Sequence, residues 1–285
     1  MATRTTQQMK ARRRRPASQA RIRSVPDRPV IKVEPESLSN FNESVNILLF
    51  GNSGVGKTVL AGFAPNAVYL STEKGVVAAK RAGSTARLIR APDWEHTEAG
   101  LDWADENLGM DDWLLLDSGS KMQTLLIRYL LRVQHEENEA RDIDVPQIQD
   151  HQKWQNMYMR FVDRIVEAPY NSIFITTAMH KEDPEGESLV LPAITGKDYA
   201  ISNYCCAQMD MVLYYGVAKQ RNREAPTIRR LLAETYPPYF AKDRFNVLDR
   251  WTDIEDGDYG AMADIISDIL DTDPQARRAA KAAQQ

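Results

Sequence analysis

Gly51-Asn52-Ser53-Gly54-Val55-Gly56-Lys57-Thr58 constrains this chain more than any other stretch. It fits G-x-x-x-x-G-K-[ST] and stands where that pattern has meaning, behind an apolar run at 45–50 and ahead of a helical pattern at 57–63. Glycines let main-chain N–H groups turn inward around phosphate oxygens with no Cβ in the way. The start of the following helix adds positive potential. Lys57 can reach the β- and γ-phosphates of a bound nucleotide, and the Thr58 hydroxyl can ligate Mg2+.

Periodicity beyond this loop alternates between strand and helix. Strands are expected at 67–70, 86–89, 113–116, 172–178, 209–217 and 227–233, and helices at 74–81, 95–107, 121–134, 154–166 and 264–270. Residues 136–150 are polar and acidic and read as a loop. Asp183-Pro184-Glu185-Gly186 reads as a turn, forming a hairpin with a strand at 189–191. Such alternation predicts an α/β fold with a central, mostly parallel sheet covered by helices on both faces. No apolar run approaches the roughly 20 residues that a membrane helix needs. Cys205 and Cys206 are the only cysteines and are adjacent. They can form neither a disulfide framework nor a four-ligand zinc site, which fits a reducing cytoplasm. Burial as small apolar residues is the expectation for both.

Three further side chains fall where strands end. Asp117 closes Leu114-Leu115-Leu116-Asp117, and a carboxylate there can hold the Mg2+ that Thr58 touches. Glu73 follows the strand at 67–70. If that strand runs parallel to the one before the loop, Glu73 shares its carboxyl edge and can activate water. By the same logic His180, after the strand at 172–178, can donate a hydrogen bond to a γ-phosphate. An exposed helix-capping carboxylate and a structural histidine are the plainer alternatives.

Charge is divided unevenly. Residues 1–32 hold ten Lys and Arg against one acid, Asp27, a net +9, whereas the rest carries 26 bases and 39 acids, a net −13. Arg12-Arg13-Arg14-Arg15 is the densest part, and Pro16, Pro26, Pro29 and Pro35 discourage a helix. The expected organisation is a disordered basic arm at 1–40, a folded domain at 41–255, and a C-terminal helix with a polar tail at 256–285. The arm can neutralise nucleic-acid phosphates. A targeting peptide and a plain solvated tail are the competing readings.

In this order the motifs resemble the RecA-like P-loop ATPases. Among them they resemble phage ATP-binding proteins of the AAA family related to RecA-like single-strand annealing proteins. The resemblance spans roughly residues 44–252. It rests on the loop Gly51 to Thr58, on Ser71-Thr72-Glu73-Lys74-Gly75, on Leu114 to Asp117 with Ser118, on Thr176-Thr177-Ala178-Met179-His180, and on Ala241-Lys242-Asp243-Arg244. It implies ATP with Mg2+ at the carboxyl edge of the sheet. Glu73 would activate water, Asp117 would hold magnesium, and His180 would stand as the γ-phosphate sensor. It also implies a homo-oligomer with ATP between subunits and a basic residue reaching across. Lys242 and Arg244 are the candidates, with Lys197 as a third. Single-stranded DNA would be the partner, in phage recombination or replication within the bacterial cytoplasm.

The loops that would meet DNA by order, at 134–150 and 181–196, depart from this pattern. They carry Glu136, Glu137, Glu139, Asp142, Asp144, Asp150, Glu182, Asp183, Glu185 and Glu187 against Arg141 and Lys181. Such loops repel a phosphate backbone. DNA affinity would then fall to the arm. The alternative is a nucleotide-switched assembly module with slow turnover and no direct DNA activity. A GTPase is disfavoured because no N-K-x-D motif is present, and a small-molecule kinase because the Arg-rich segment precedes the fold.

Overall fold

A parallel strand that is apolar on both sides must be covered on both sides, and the observed architecture follows from that need. The computed structural model describes residues 34, 35, 37, 44–182, 186–218, 227–255 and 257–270. The chain divides into two compact units, Met1–Asn42 and Glu43–Gln285, and the regular elements of the described residues belong to the second. Most of the basic arm, including Arg12 to Arg15, lies outside the described residues, as does the polar tail from 271 onward.

The elements are β1 (Asn46–Gly51), α1 (Lys57–Ala61), β2 (Ala67–Ser71), α2 (Val76–Arg81), β3 (Arg87–Arg90), α3 (Trp94–Asn107), β4 (Trp113–Asp117), α4 (Gly119–Glu137) and α5 (Ile148–Val166). They continue with β5 (Asn171–Glu182), β6 (Ser188–Pro192), α6 (Ala200–Gln208), β7 (Met211–Val217), β8 (Ile228–Leu232), β9 (Lys242–Asp243), β10 (Trp251–Glu255) and α7 (Ala261–Leu270). The main path of the sheet runs β10-β8-β7-β1-β5-β4-β2-β3, with β6 pairing β5 and β9 pairing β7. From β7 to β3 every pairing on this path is parallel. β8, β10, β9 and β6 join antiparallel. This is the predicted α/β class with a mostly parallel central sheet.

Side chains alternate across the sheet as a period of two requires. Leu48, Phe50, Leu116 and Phe174 point to one face, where Leu126, Phe161 and Ile201 of α4, α5 and α6 cover them. Ile47, Leu49, Leu115 and Ile173 point to the other, under Leu60 of α1 and Met262 and Ile266 of α7. β1, β2 and β4 are buried along their whole length. At roughly 1.5–3 kcal/mol for each large apolar side chain buried, these two layers are the main source of stability. Among the described residues no helix is long and apolar enough to cross a membrane.

Several local expectations change. Regular helix after the phosphate loop stops at Ala61, because Gly62 follows and the chain turns through Phe63. The acidic loop is shorter than 136–150, since α4 continues to Glu137 and α5 begins at Ile148. Asp150 starts that helix early by accepting the Gln147 N–H at 2.7 Å. β5 runs on to Glu182, five residues past the end of its pairing with β1 at Thr177, and forms the predicted hairpin with β6. The tip of that hairpin, residues 183–185, lies outside the described residues. α6, β9 and β10 have no counterpart among the sequence expectations. α6 has a weak helical sequence, Ala-Ile-Ser-Asn-Tyr-Cys-Cys-Ala-Gln, and forms where Ile201, Ser202, Cys205 and Cys206 bury. Both cysteines are buried and unbridged, as expected.

Main-chain closeness at the end of β1 gives a test. A Cβ on Gly51 would lie 2.0 Å from the Tyr215 carbonyl oxygen of β7. Gly51→Ala is expected to cost about 1–3 kcal/mol through overpacking, seen as a lower urea midpoint. An unchanged midpoint would mean that β7 does not press on β1 there.

Candidate functional site

Parallel pairing delivers the carboxyl ends of β1, β4 and β2 to one edge, with β5 running through it. Gly51 pairs with Thr177, Asp117 with Ile175, and Ser71 with Asp117. β1 therefore ends beside β5, and the carboxyl ends of β4 and β2 lie next along the same edge. In an open α/β sheet this edge, where connections leave to opposite sides, is where ligands bind.

The loop from β1 to α1 needs glycine at two positions, since φ is +81° at Gly54 and +99° at Gly56. It is held from three sides. The Tyr69 hydroxyl donates to the Thr58 carbonyl at 2.6 Å. Arg229 of β8 donates from Nε to the Val55 carbonyl at 2.9 Å. Lys57 folds back and donates from Nζ to the carbonyls of Gly51, at 2.9 Å, and Asn52, at 2.8 Å. The residue is only 7% exposed. Burial lowers its pKa, while the negative charges of Asp117 and Glu73 push it back up.

Thr58 donates its hydroxyl to Asp117, 3.3 Å from Oδ1 and 3.2 Å from Oδ2. Asp117 is buried and its carboxyl is pushed up to about 6, first by burial and then by the neighbouring Glu73 charge. The Thr58 hydrogen bond and the Lys57 charge work in the other direction. Glu73 follows β2 and is tied to the end of β4 by Ser118, whose hydroxyl donates to Oε1 at 2.8 Å. Gly75 leaves room over this group, since a Cβ there would stand 3.6 Å from Thr58 Oγ1 and 3.7 Å from Asp117 Oδ2.

A hydroxyl and a carboxylate are hard oxygen donors of the kind Mg2+ takes. Among the described residues, no group of three or more His, Cys, Asp or Glu could hold a metal ion. A magnesium ion here would take its remaining ligands from phosphate oxygens and water. The glycine-built loop, the buried ammonium and the Thr58–Asp117 pair together fit a magnesium-bound nucleotide. Beside Gly56 a cavity of about 390 Å3 opens, bounded by Val59, Tyr215, Arg229, Ile254 and Tyr259.

A family model described as AAA domain matches residues 43–245. The chain belongs to this AAA family. An AAA domain is a nucleotide-binding P-loop ATPase module, and the match takes in the loop, Glu73, Asp117 and His180. It ends before β10 and α7, so Ile254 and Tyr259 line the cavity from outside the matched AAA segment. No curated protein matches the chain.

The remaining sequence candidates are dispersed. His180 lies on the extension of β5 beyond the sheet edge, exposed and opposite Val190 of β6. Lys197 is exposed in the short turn before α6. Lys242 and Arg244 do not approach the phosphate loop of their own chain. β9 pairs with Met211 and Val212 at the amino end of β7, across the sheet from the loop. Lys242 Nζ donates to the carbonyls of Cys206, at 2.6 Å, and Ala207, at 3.3 Å. Arg244 donates to the Ala207 carbonyl at 2.8 Å and to Asp210 at 3.1 Å. Both basic heads close the C-terminal end of α6, where unsatisfied carbonyls attract cations. Among the described residues, Arg229 is the arginine that hydrogen-bonds the loop, at the Val55 carbonyl. Its adjacency to Arg230 in an ordinary strand pattern gives no sequence signal.

Asp117 yields a pH prediction. Its folded pKa, about 6, lies above the unfolded value of about 3.9. Between these values the folded state holds more protons than the unfolded state, so stability falls as pH rises through that window. The ionised carboxylate then costs on the order of 3 kcal/mol at neutral pH. Asp117→Asn is expected to melt above wild type at pH 8, with the gap closing near pH 4. Thermal melts across pH read this, and a gap of constant size would remove Asp117 as its source.

Proposed function

We propose that this protein is a magnesium-dependent ATPase of RecA-like type. The observation that carries the reading is the convergence of Lys57, Thr58, Asp117 and Glu73 at one edge of the parallel sheet. The loop amides and Lys57 bind the triphosphate, Lys57 exchanging two main-chain carbonyls for phosphate oxygens. The cavity beside Gly56 takes the base. Thr58 and Asp117 hold Mg2+, which offsets the charge of the phosphates when bound. Glu73 orients the attacking water and accepts its proton at a carboxylate oxygen. His180, on the β5 extension, is the proposed contact for the γ-phosphate.

Lys57→Ala is expected to abolish ATP binding by calorimetry. Glu73→Gln is expected to keep binding while turnover falls at least a hundredfold, within the range for losing a general base. Turnover at wild-type rates in both would end this reading.

Single-stranded DNA is the proposed partner, and the charge division of the sequence supports it. The net +9 of residues 1–32 is the main concentrated positive charge, because the loop after α4 is acidic. Its one arginine, Arg141, is committed to Asp150 at 2.6 Å. Removing residues 1–32 is expected to lower affinity for single-stranded DNA at least tenfold at low salt and to flatten its salt dependence. Fluorescence anisotropy reads both. Unchanged DNA affinity with loss of a protein partner would favour a nucleotide-switched assembly module instead.

A further inference from the structure

Glu73 is held by a residue to which the proposed reaction gives no role. Ser118 directly follows Asp117 and stands at the start of α4. Its hydroxyl oxygen accepts the Lys121 N–H at 3.4 Å, so its single proton is directed to Glu73 Oε1, 2.8 Å away. The side chain is buried between β4 and the turn after β2. Its own N–H donates to Thr72 Oγ1 at 3.2 Å, and the Thr72 N–H donates to the Asp117 carbonyl at 2.7 Å. The carboxylate and the serine are thus stitched together through main chain as well as side chain.

The base from which Ser118 acts is itself fixed. The Tyr158 hydroxyl donates to the Gly119 carbonyl at 2.8 Å. The Thr177 N–H donates to Ser120 Oγ at 3.3 Å. Gln123, one turn on, binds Thr195 through its amide, with Nε2 2.9 Å from the Thr195 carbonyl and Oε1 2.8 Å from the Thr195 N–H. The first turn of α4 is therefore anchored to α5, to β5 and to the loop after β6.

We propose that Ser118 is a positioning residue for water activation. It fixes one oxygen of Glu73 so that the other faces the attacking water. A carboxylate without this tether rotates about its side-chain torsions and is repelled by Asp117, and catalysis falls steeply when a reacting group is misplaced by even about 1 Å. The proposal rests on Glu73 being the water-activating group, and the test separates the two.

Steady-state ATPase assays on the full chain compare wild type with Ser118→Ala, Ser118→Gly, Ser118→Thr and Glu73→Gln. Glycine is nearly as good as serine at a helix N-cap, so Ser118→Gly removes the hydroxyl with little loss of the cap. Both Ser118→Ala and Ser118→Gly are expected to lower kcat at least tenfold with KM changed less than about threefold. Ser118→Thr keeps the hydroxyl and restores kcat to within about threefold of wild type. Adding Ser118→Gly to Glu73→Gln produces no further loss, because the serine acts through the carboxylate. Wild-type kcat in Ser118→Gly with Glu73→Gln inactive overturns the role of Ser118 alone and leaves it as a cap. An equal loss from Ser118→Gly in the Glu73→Gln background overturns it too. Wild-type turnover in Glu73→Gln overturns the reading of Glu73, and that of Ser118 with it.

Discussion

Main-chain pairing of β1 with β5, and of β5 with β4 and β4 with β2, determines where every functional side chain stands. Parallel strands share direction, so their carboxyl ends reach one edge together. Register then sets the spacing. Gly51 lies opposite Thr177 and Asp117 opposite Ser71, which places the phosphate loop two strands from the carboxylate that meets Thr58. A shift of one residue in either pairing would turn the strand side chains to the opposite face. The two apolar layers make such a slip costly. Phe50 and Phe174 belong to the α4–α5 side, and Leu49 and Ile175 to the α1–α7 side.

On that frame the fold keeps charges under strain. Lys57 is buried with its ammonium on two carbonyls, and its pKa falls. Asp117 is buried beside Glu73, and its pKa rises. Each is poorly solvated, and each would gain from a ligand of the right charge. Such a site loses stability without a ligand and regains it on binding, the usual relation between function and fold at a ligand site.

The central architecture was legible because its signals are local. An octapeptide with two obligatory glycines, runs such as Trp-Leu-Leu-Leu-Asp and strand-to-helix alternation each reflect the backbone they build. What escaped depends on tertiary partners. α6 has poor intrinsic propensity and exists because α5 offers it a surface, with Tyr204 donating to Asp163. β9 is two residues long and follows the edge of β7. Arg229 and Arg230 read alike in sequence, yet one reaches the Val55 carbonyl and the other pairs with Asp253 over Trp251. Lys242 and Arg244 looked available because sequence shows their charge but not the carbonyls of α6 that occupy them. Ser118 was visible only as the residue after an aspartate.

The terminal strand of the sheet, β3, is four residues long and mostly exposed, with Arg87 and Arg90 at its two ends. Arg87 lies over the Trp103 ring, 5.4 Å from its centroid. An unpaired strand edge is a template for foreign chains. Here an incoming strand would have to dehydrate cationic side chains at both ends of a short ladder. This brevity and charge give a sheet this wide a built-in guard against runaway self-association along that border.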